Sequence, residues 1–517
     1  MPVAEPTEID AVPGAGRLLP AETDVAIIGS GFSGIAMAAK LKRAGRDDFV
    51  ILERAREVGG TWRDNSYPGC ACDVPSHVYS FSFAPNPDWS STFSPQPEIQ
   101  AYLRKVAAGE GLLEHIHFGS EVEDAAWDEV SRRWRITTAS GQIAARALVA
   151  AAGPFSEAKI PDVPGLESFH GTVFHSASWD HDHDLRGERV AVIGTGASSI
   201  QFVPQIQPEV SELHLYQRTA PWIVPRRARR LSWLEHGLYR RVPAAQRLMR
   251  AAISAAREMF AIPMIRVRLS RIIKVGALAH LRRQVRDPEL RAKLTPRYAP
   301  GCKRILISND YLPALGEPNI EVVTDGIAEV REHSIVAEDG SEREVDTIIF
   351  GTGFTVTEPP IAKRVRAADG RSLAEHWDER GMQAHRGTTM AGYPNLFFLL
   401  GPNTGLGHNS VLLMAEAQAD YAISALEHLD ATAQASLEPR PLAQGRWNEQ
   451  VQERSRGTVW LDGGCASWYL DRHGRNTTVW PDFSFRFERE LRSFDPAEYE
   501  FAPKRVPAIA GRDEVTA

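Results

Sequence analysis

At 517 residues, 43% of them hydrophobic and 24% charged, the chain exceeds one comfortable core and reads as an ordinary globular protein of two or three domains. A net charge of −7 over that length gives no reason to expect nucleic acid. No apolar run approaches the roughly 18 residues of a membrane span.

Residues 1–24, rich in proline and acid, have neither a basic start nor an apolar run and read as a flexible leader. The first predicted elements follow: a strand over 25–28 (VAII), the turn Gly29-Ser30-Gly31-Phe32-Ser33-Gly34, an alanine-rich helix, and a strand (FVIL) ending on Glu53. Strand, G-x-G-x-x-G, helix, strand, acid is the order a dinucleotide fold requires. The glycines permit a tight turn and close backbone approach to a pyrophosphate, whose charge meets the free N–H groups of the helix start. Glu53 is placed to accept hydrogen bonds from a ribose with free hydroxyls.

Cys70 and Cys72 are too closely spaced for the disulfide reductases of this fold, and no Cys or His cluster completes a zinc site. They read as inert thiols, and no metal is implied. With Cys302 and Cys465 they make four cysteines, too few and too scattered for a disulfide framework. A reducing cytoplasm is the expected home.

The nucleotide pattern then recurs. Strand 189–193 (RVAVI) leads into Gly194-Thr195-Gly196-Ala197-Ser198-Ser199, and the next strand (LHLYQ) ends at Arg218, followed by Thr219. Ser199 replaces the third glycine with another small residue. Arg218 stands as far along the chain from Gly194 as Glu53 does from Gly29. A carboxylate repels a 2′-phosphate, whereas a guanidinium grips one in a bidentate fork. The first unit therefore reads as an FAD site and the second as an NADPH site.

Residues 226–304 carry about twenty Lys/Arg against about four acids, interleaved with apolar residues at helical spacing. We read a helical insertion over 226–300 as a cap on the active site, in preference to a face lying on an anionic membrane. Two strand-to-glycine segments, Ala147–Pro154 and Asp346–Phe354, read as the crossings between nucleotide domains. The expected fold is α/β, with two Rossmann-like dinucleotide-binding domains, the second inserted in the first, and a helical cap. The boundaries fall at 25–160 (first part of the FAD domain), 161–349 (NADP domain) and 350–517 (second part of the FAD domain with a C-terminal loop and tail).

Phe169-His-Gly171-Thr-Val-Phe-His175-Ser-Ala-Ser-Trp179-Asp180 resembles the fingerprint of type I Baeyer–Villiger monooxygenases. Gly59-Gly60-Thr61-Trp62 through Tyr67-Pro68-Gly69 to Asp73 resembles a second signature of that family, and Gly401–Ser410 resembles one subgroup of it. The resemblance spans about residues 24 to 490. It implies that NADPH reduces FAD and that the reduced flavin captures O2 as a C4a-peroxide, which attacks a ketone to give an ester or lactone. In Gly301-Cys302-Lys303-Arg304 it implies that Arg304 stabilises the transition state, that Asp73 aims its guanidinium, and that Lys303 adds a second clamp on the 2′-phosphate. Thr61, Trp62, Tyr79 and Val122 are matched to flavin-contacting positions, and Trp468 to a tryptophan over the nicotinamide ribose on a mobile loop. His175 and Trp179 are expected to serve the interdomain hinge and not the chemistry. Trp179-Asp180 argues against the alternative of a nitrogen- or sulfur-oxygenating relative. Intact glycine turns argue against a non-catalytic nucleotide-binding regulator. The ketone and the oligomeric state stay open.

Overall fold

The computed structural model describes residues 17–503. Its first sheet is built around β1 (Glu22–Ile28), flanked in parallel by β2 (Phe49–Glu53) and by β6 (Gly141–Ala150). β3 (Ile116–Phe118) extends it beyond β2, while β4 (Val122–Asp128) and β5 (Arg133–Thr138) run antiparallel beyond β6. Strand Tyr393–Phe398 returns from late in the chain to pair in parallel with β6. Helix Phe32–Arg43 covers one face, and Ala36, Met37, Ala38 and Ala39 are wholly buried. Small side chains let a helix lie close on a sheet covered on both faces, which is why β1 and β2 are nearly continuous apolar runs.

The second sheet repeats the plan. β8 (Arg189–Ile193) lies between β9 (Glu212–Tyr216) and strand Thr347–Phe350, with strand Ile320–Val323 and β7 (Thr172–His175) at the edges. Every pairing in it is parallel. All its strands lie between residues 172 and 350, inside the span from which the first sheet draws its two contributions. The expected α/β architecture of two Rossmann-like units, one inserted in the other, is the fold observed. Helices Trp233–Arg241, Pro243–Ile265 and Arg271–Gln284 form the cap.

Two expectations need correction. β1 begins at Glu22, so the end of the expected leader is ordered in a strand; residues 1–16 of that leader lie outside the described residues. A disulfide joins Cys302 to Cys465 across 163 residues of sequence. Scatter along the chain does not predict distance in space: the fold brings their Cα atoms to 6.1 Å. The cysteine argument for a reducing compartment does not carry over to this pair. Cys70 and Cys72 are free and buried, and burial pushes the Cys70 thiol up to about 12, which keeps it protonated and unreactive. No helix among the described residues is long and apolar enough to cross a membrane.

Candidate active site

Each glycine turn leaves the C-terminal end of a strand at the point where chain order in the sheet reverses, between β2 and β6 for the first and between β9 and Thr347–Phe350 for the second. Gly29 has φ +99°, and a Cβ there would stand 2.9 Å from the Ala151 carbonyl oxygen. Gly194 has φ +107°, and a Cβ would meet the Gly351 carbonyl oxygen at 2.5 Å. Only glycine serves at either position. The helices that follow, Phe32–Arg43 and Ser199–Ile206, start with no side-chain cap and no acid in the first turn. By contrast, Ser232, Ser372 and Ser410 each cap the helix they precede. The first helix thus leaves the N–H groups of residues 32–34 open toward an anion, whereas in the second the Ile200 and Gln201 N–H groups already bond the Gly196 and Ser198 carbonyls and the open N–H groups are those of the turn at 197–199. Phe32, Ser33 and Gly34 open the first helix and are buried, as is Ser199 in the second; Thr195, Ala197 and Ser198 line the second turn, where Thr195 Oγ1 reaches the Thr219 carbonyl at 3.3 Å.

The two strand-end charges differ in setting. Glu53 is 3% exposed, and its carboxylate accepts from Ser30 N (2.8 Å), Ser30 Oγ (2.7 Å), Ala55 N (2.9 Å) and Arg63 Nη1 (3.0 Å). Four donors use the acceptor capacity of a carboxylate. Of these only the Ser30 hydroxyl can rotate away for another hydroxyl. Arg218 is exposed and makes no hydrogen bond or ion pair among the described residues. Lys303 sits beside it: burial, and then the Arg218 charge, hold the Lys303 ammonium below the usual lysine range. Neither cation has an acid paired to it among the described residues.

The segment from Gly59 to Asp73 is a strap across both units. Gly59 N donates to the Ser30 carbonyl at 3.1 Å, and Gly60 lies against Gly31. Thr61 begins the next short helix, and Trp62 Nε1 donates to the Tyr79 hydroxyl at 2.9 Å, with Tyr79 edge-on to Phe32 at 5.0 Å. Further on, Tyr67 and Ala71 bond to the Gln201 side chain, and Gly69 packs under the Gln201 backbone. The strap ends at Asp73. Val122 is buried in β4, two residues past Ser120, whose N–H bonds the Glu53 carbonyl.

Asp73 grips Arg304 in a bidentate fork, Nε to Oδ2 and Nη2 to Oδ1, both at 2.6 Å. Burial alone raises the Asp73 carboxyl, but the Arg304 charge overrides it and holds the acid below the usual carboxylate range. Reciprocally, Asp73 pushes the Arg304 guanidinium up. Sequence reasoning brought this pair together and missed two companions. Burial lowers both Arg226 and Arg257, each close enough for Asp73 to act on its charge, and the Nε of each is buried without a partner. Three guanidiniums thus gather around Asp73, with Asp310 also acting on Arg226, so cations outnumber carboxylates in this cleft. The helical pattern of the insertion did not show which arginines face inward; only the fold does.

The crossings gather a second group. Trp468 is half-exposed, packed on Tyr469 and edge-on to Phe155, which touches Phe354. His175 Nδ1 accepts from Ala177 N at 3.0 Å, its ring meets Phe354, and Trp179 packs on Phe174 and Phe202. Tyr469 is buried, and Arg304 and Asp73 both act on its hydroxyl. The Cys302–Cys465 bridge and a bond from Ala299 N to the Gly463 carbonyl fasten this C-terminal loop beside Lys303 and Arg304.

A family model described as pyridine nucleotide-disulphide oxidoreductase matches residues 26–254. A Baeyer–Villiger monooxygenase of Streptomyces coelicolor is 52% identical over 95% of this chain and 96% of its own length. One from Pseudomonas aeruginosa is 48% identical over 94% and 93%. Among solved structures, an oxidized steroid monooxygenase bound to NADP superposes with TM-score 0.83 at 29% identity, covering 94% of this chain and all of that one. Cyclohexanone monooxygenase from Rhodococcus sp. Phi1 bound to NADP+ gives 0.83 at 27%, with the same coverage. With both glycine turns, the strap and the Asp73–Arg304 fork in place, the chain belongs to the Baeyer–Villiger monooxygenase family.

Proposed function

We propose that this enzyme binds FAD at the Gly29 turn and NADPH at the Gly194 turn, and inserts one atom of O2 beside a ketone carbonyl to give an ester or lactone. The observation that carries the reading is the Arg304–Asp73 fork, set among Arg226 and Arg257 where the strap joins the two nucleotide units. The FAD part comprises 25–160 and 350–517, the NADP part 161–349, and the cap 226–300, behind a leader at 1–24. Uncapped helix starts and close-packed glycines fit two pyrophosphates, and the Glu53 and Arg218 environments sort them.

Bound flavin, once reduced, supplies the electrons and the oxygen chemistry that side chains lack. The chain's own work is electrostatic and positional. Arg304 stabilises negative charge developing on the substrate's carbonyl oxygen without donating its own proton. Asp73 stays ionised and keeps the fork aimed. Thr61, Trp62, Tyr79 and Val122 wall the flavin side, and Trp468 covers the nicotinamide side. Lys303 and Arg218, with Thr219, hold the 2′-phosphate. His175 and Trp179 brace the hinge between units.

The test is a panel of linear, cyclic and aryl ketones with purified FAD-loaded protein, NADPH and 18O2. We expect at least one product heavier than its ketone by one labelled oxygen, formed with NADPH consumption. NADPH oxidation that never yields such a product from any ketone would contradict the proposal.

A further inference from the structure

Helix Pro243–Ile265 is amphipathic in the reverse sense. Its charged residues between 248 and 265 all turn toward the protein. Arg250 donates to the His77 and Ser80 carbonyls at 2.9 and 2.7 Å, Arg257 faces Asp73, and Glu258 accepts from Asn409 at 2.7 Å and from Ser484. Its outer face is apolar: Leu248 is 72% exposed and Met259 70%, joined by Met249, Phe260, Ile262 and the exposed alanines at 251, 252, 255 and 256. The strip continues onto both neighbours, with Trp233 at 79% on helix Trp233–Arg241, and Ile272 and Val275 at 71% and 70% on helix Arg271–Gln284. Large contiguous apolar surfaces mark places where a protein meets something else.

The rim identifies the occupant. Arg241, Arg247, Arg266, Arg268, Arg271, Lys274, Arg282 and Arg283 are exposed, and none forms an ion pair among the described residues. The acids within 232–286 are Glu235, paired with Arg229 at 2.6 Å, and the inward-facing Glu258. A second copy docked about a two-fold axis would set cation against cation. An anionic lipid surface offers both complements at once: acyl chains for the strip and headgroups for the rim. No helix crosses, so the contact is interfacial. We propose that the outer face of the cap docks on an anionic membrane surface, with the strip centred on Leu248, Met259 and Ile272 immersed in the interface. The inner face of the same helix carries Arg257 toward Asp73.

This inference stands on surface geometry and does not require the ketone reading. The experiment is flotation of the FAD-loaded full chain with vesicles of phosphatidylcholine alone, or with about 30% phosphatidylglycerol. We expect binding to the anionic vesicles, release by high salt, and little binding to neutral ones. The Leu248→Glu/Met259→Glu variant should bind at least about 10-fold more weakly, and Arg266→Gln/Arg268→Gln/Arg271→Gln should lose the preference for anionic lipid. Both should keep bound flavin and the parental rate of NADPH oxidation without ketone. Leu248→Ser/Met259→Ser serves if the glutamate variant loses flavin. No binding to either vesicle, undiminished binding of the strip variants, or a dimer in solution that the strip variants split to monomers would each overturn the proposal.

Discussion

The two glycine turns share a backbone plan yet treat their ligands in opposite ways. At the first, Glu53 is buried and already satisfied by four donors from its own chain. At the second, Arg218 is exposed and Lys303 carries a depressed pKa beside it, two cations with no ion pair among the described residues. The difference teaches that the strand-end residue decides more than the identity of the nucleotide. Under the proposed function, its surroundings make the first nucleotide a resident and the second a visitor.

Removing Glu53 should give the larger effect. Glu53→Ala leaves the Ser30 and Ala55 N–H groups without their acceptor and takes one contact from Arg63, which keeps its pair with Asp64; each buried donor left unsatisfied costs about 1–3 kcal/mol. We expect flavin affinity to fall by at least about 100-fold, read as loss of yellow colour and by FAD titration. A variant that purifies fully loaded would break the comparison from the resident side.

Arg218→Ala should raise the KM for NADPH by roughly 10- to 100-fold, the worth of one charge-assisted contact, with NADH nearly unchanged. Parental protein that uses both cofactors equally would break it from the visitor side. Lys303 sharpens the same point by pH. Its ammonium is depressed below the ordinary lysine value, so the charged form is complete below that lowered pKa and is lost as pH rises through it. NADPH KM should therefore climb at a less alkaline pH than an ordinary lysine would dictate, while Lys303→Arg should flatten the climb. An unchanged profile in Lys303→Arg would show that another group titrates.

The smallest expected effect on turnover comes from the Cys302–Cys465 bridge, which fastens the loop bearing Trp468 beside Lys303. Cys465→Ser should cost roughly 2–4 kcal/mol of stability, seen as a lower thermal midpoint, and raise NADPH KM only a few-fold. An unchanged midpoint would mean that the loop is held by its packing alone.

Much of this was legible because it is local. Strand, glycine turn, helix and strand-end charge lie within one continuous stretch, so Gly29 to Glu53 and Gly194 to Arg218 speak for themselves. Asp73 and Arg304 lie far apart in sequence and could be joined only through the family signatures. Arg226, Arg257, Gln201 and the disulfide were not legible, since each depends on long-range packing. Which face of the cap helix turns inward was not legible for a physical reason: apolar residues at helical spacing ordinarily mark the inward face. Here the helix roofs a charged cleft, so Arg250, Arg257 and Glu258 turn in and Leu248 and Met259 turn out.

The most direct test of the central claim is ester or lactone formed per NADPH consumed by Arg304→Ala, beside the parent and Arg304→Lys. Neither the fold nor the flavin turn rests on this side chain, so flavin content should be retained. Product should fall by at least about 100-fold, the scale for losing one preorganised donor to a developing oxyanion. Lysine should restore little, because a point charge on a flexible stem cannot fill the two-point fork of Asp73. Ketone conversion by Arg304→Ala at near the parental rate, with flavin in place, would contradict the assignment of Arg304 and with it the proposed chemistry.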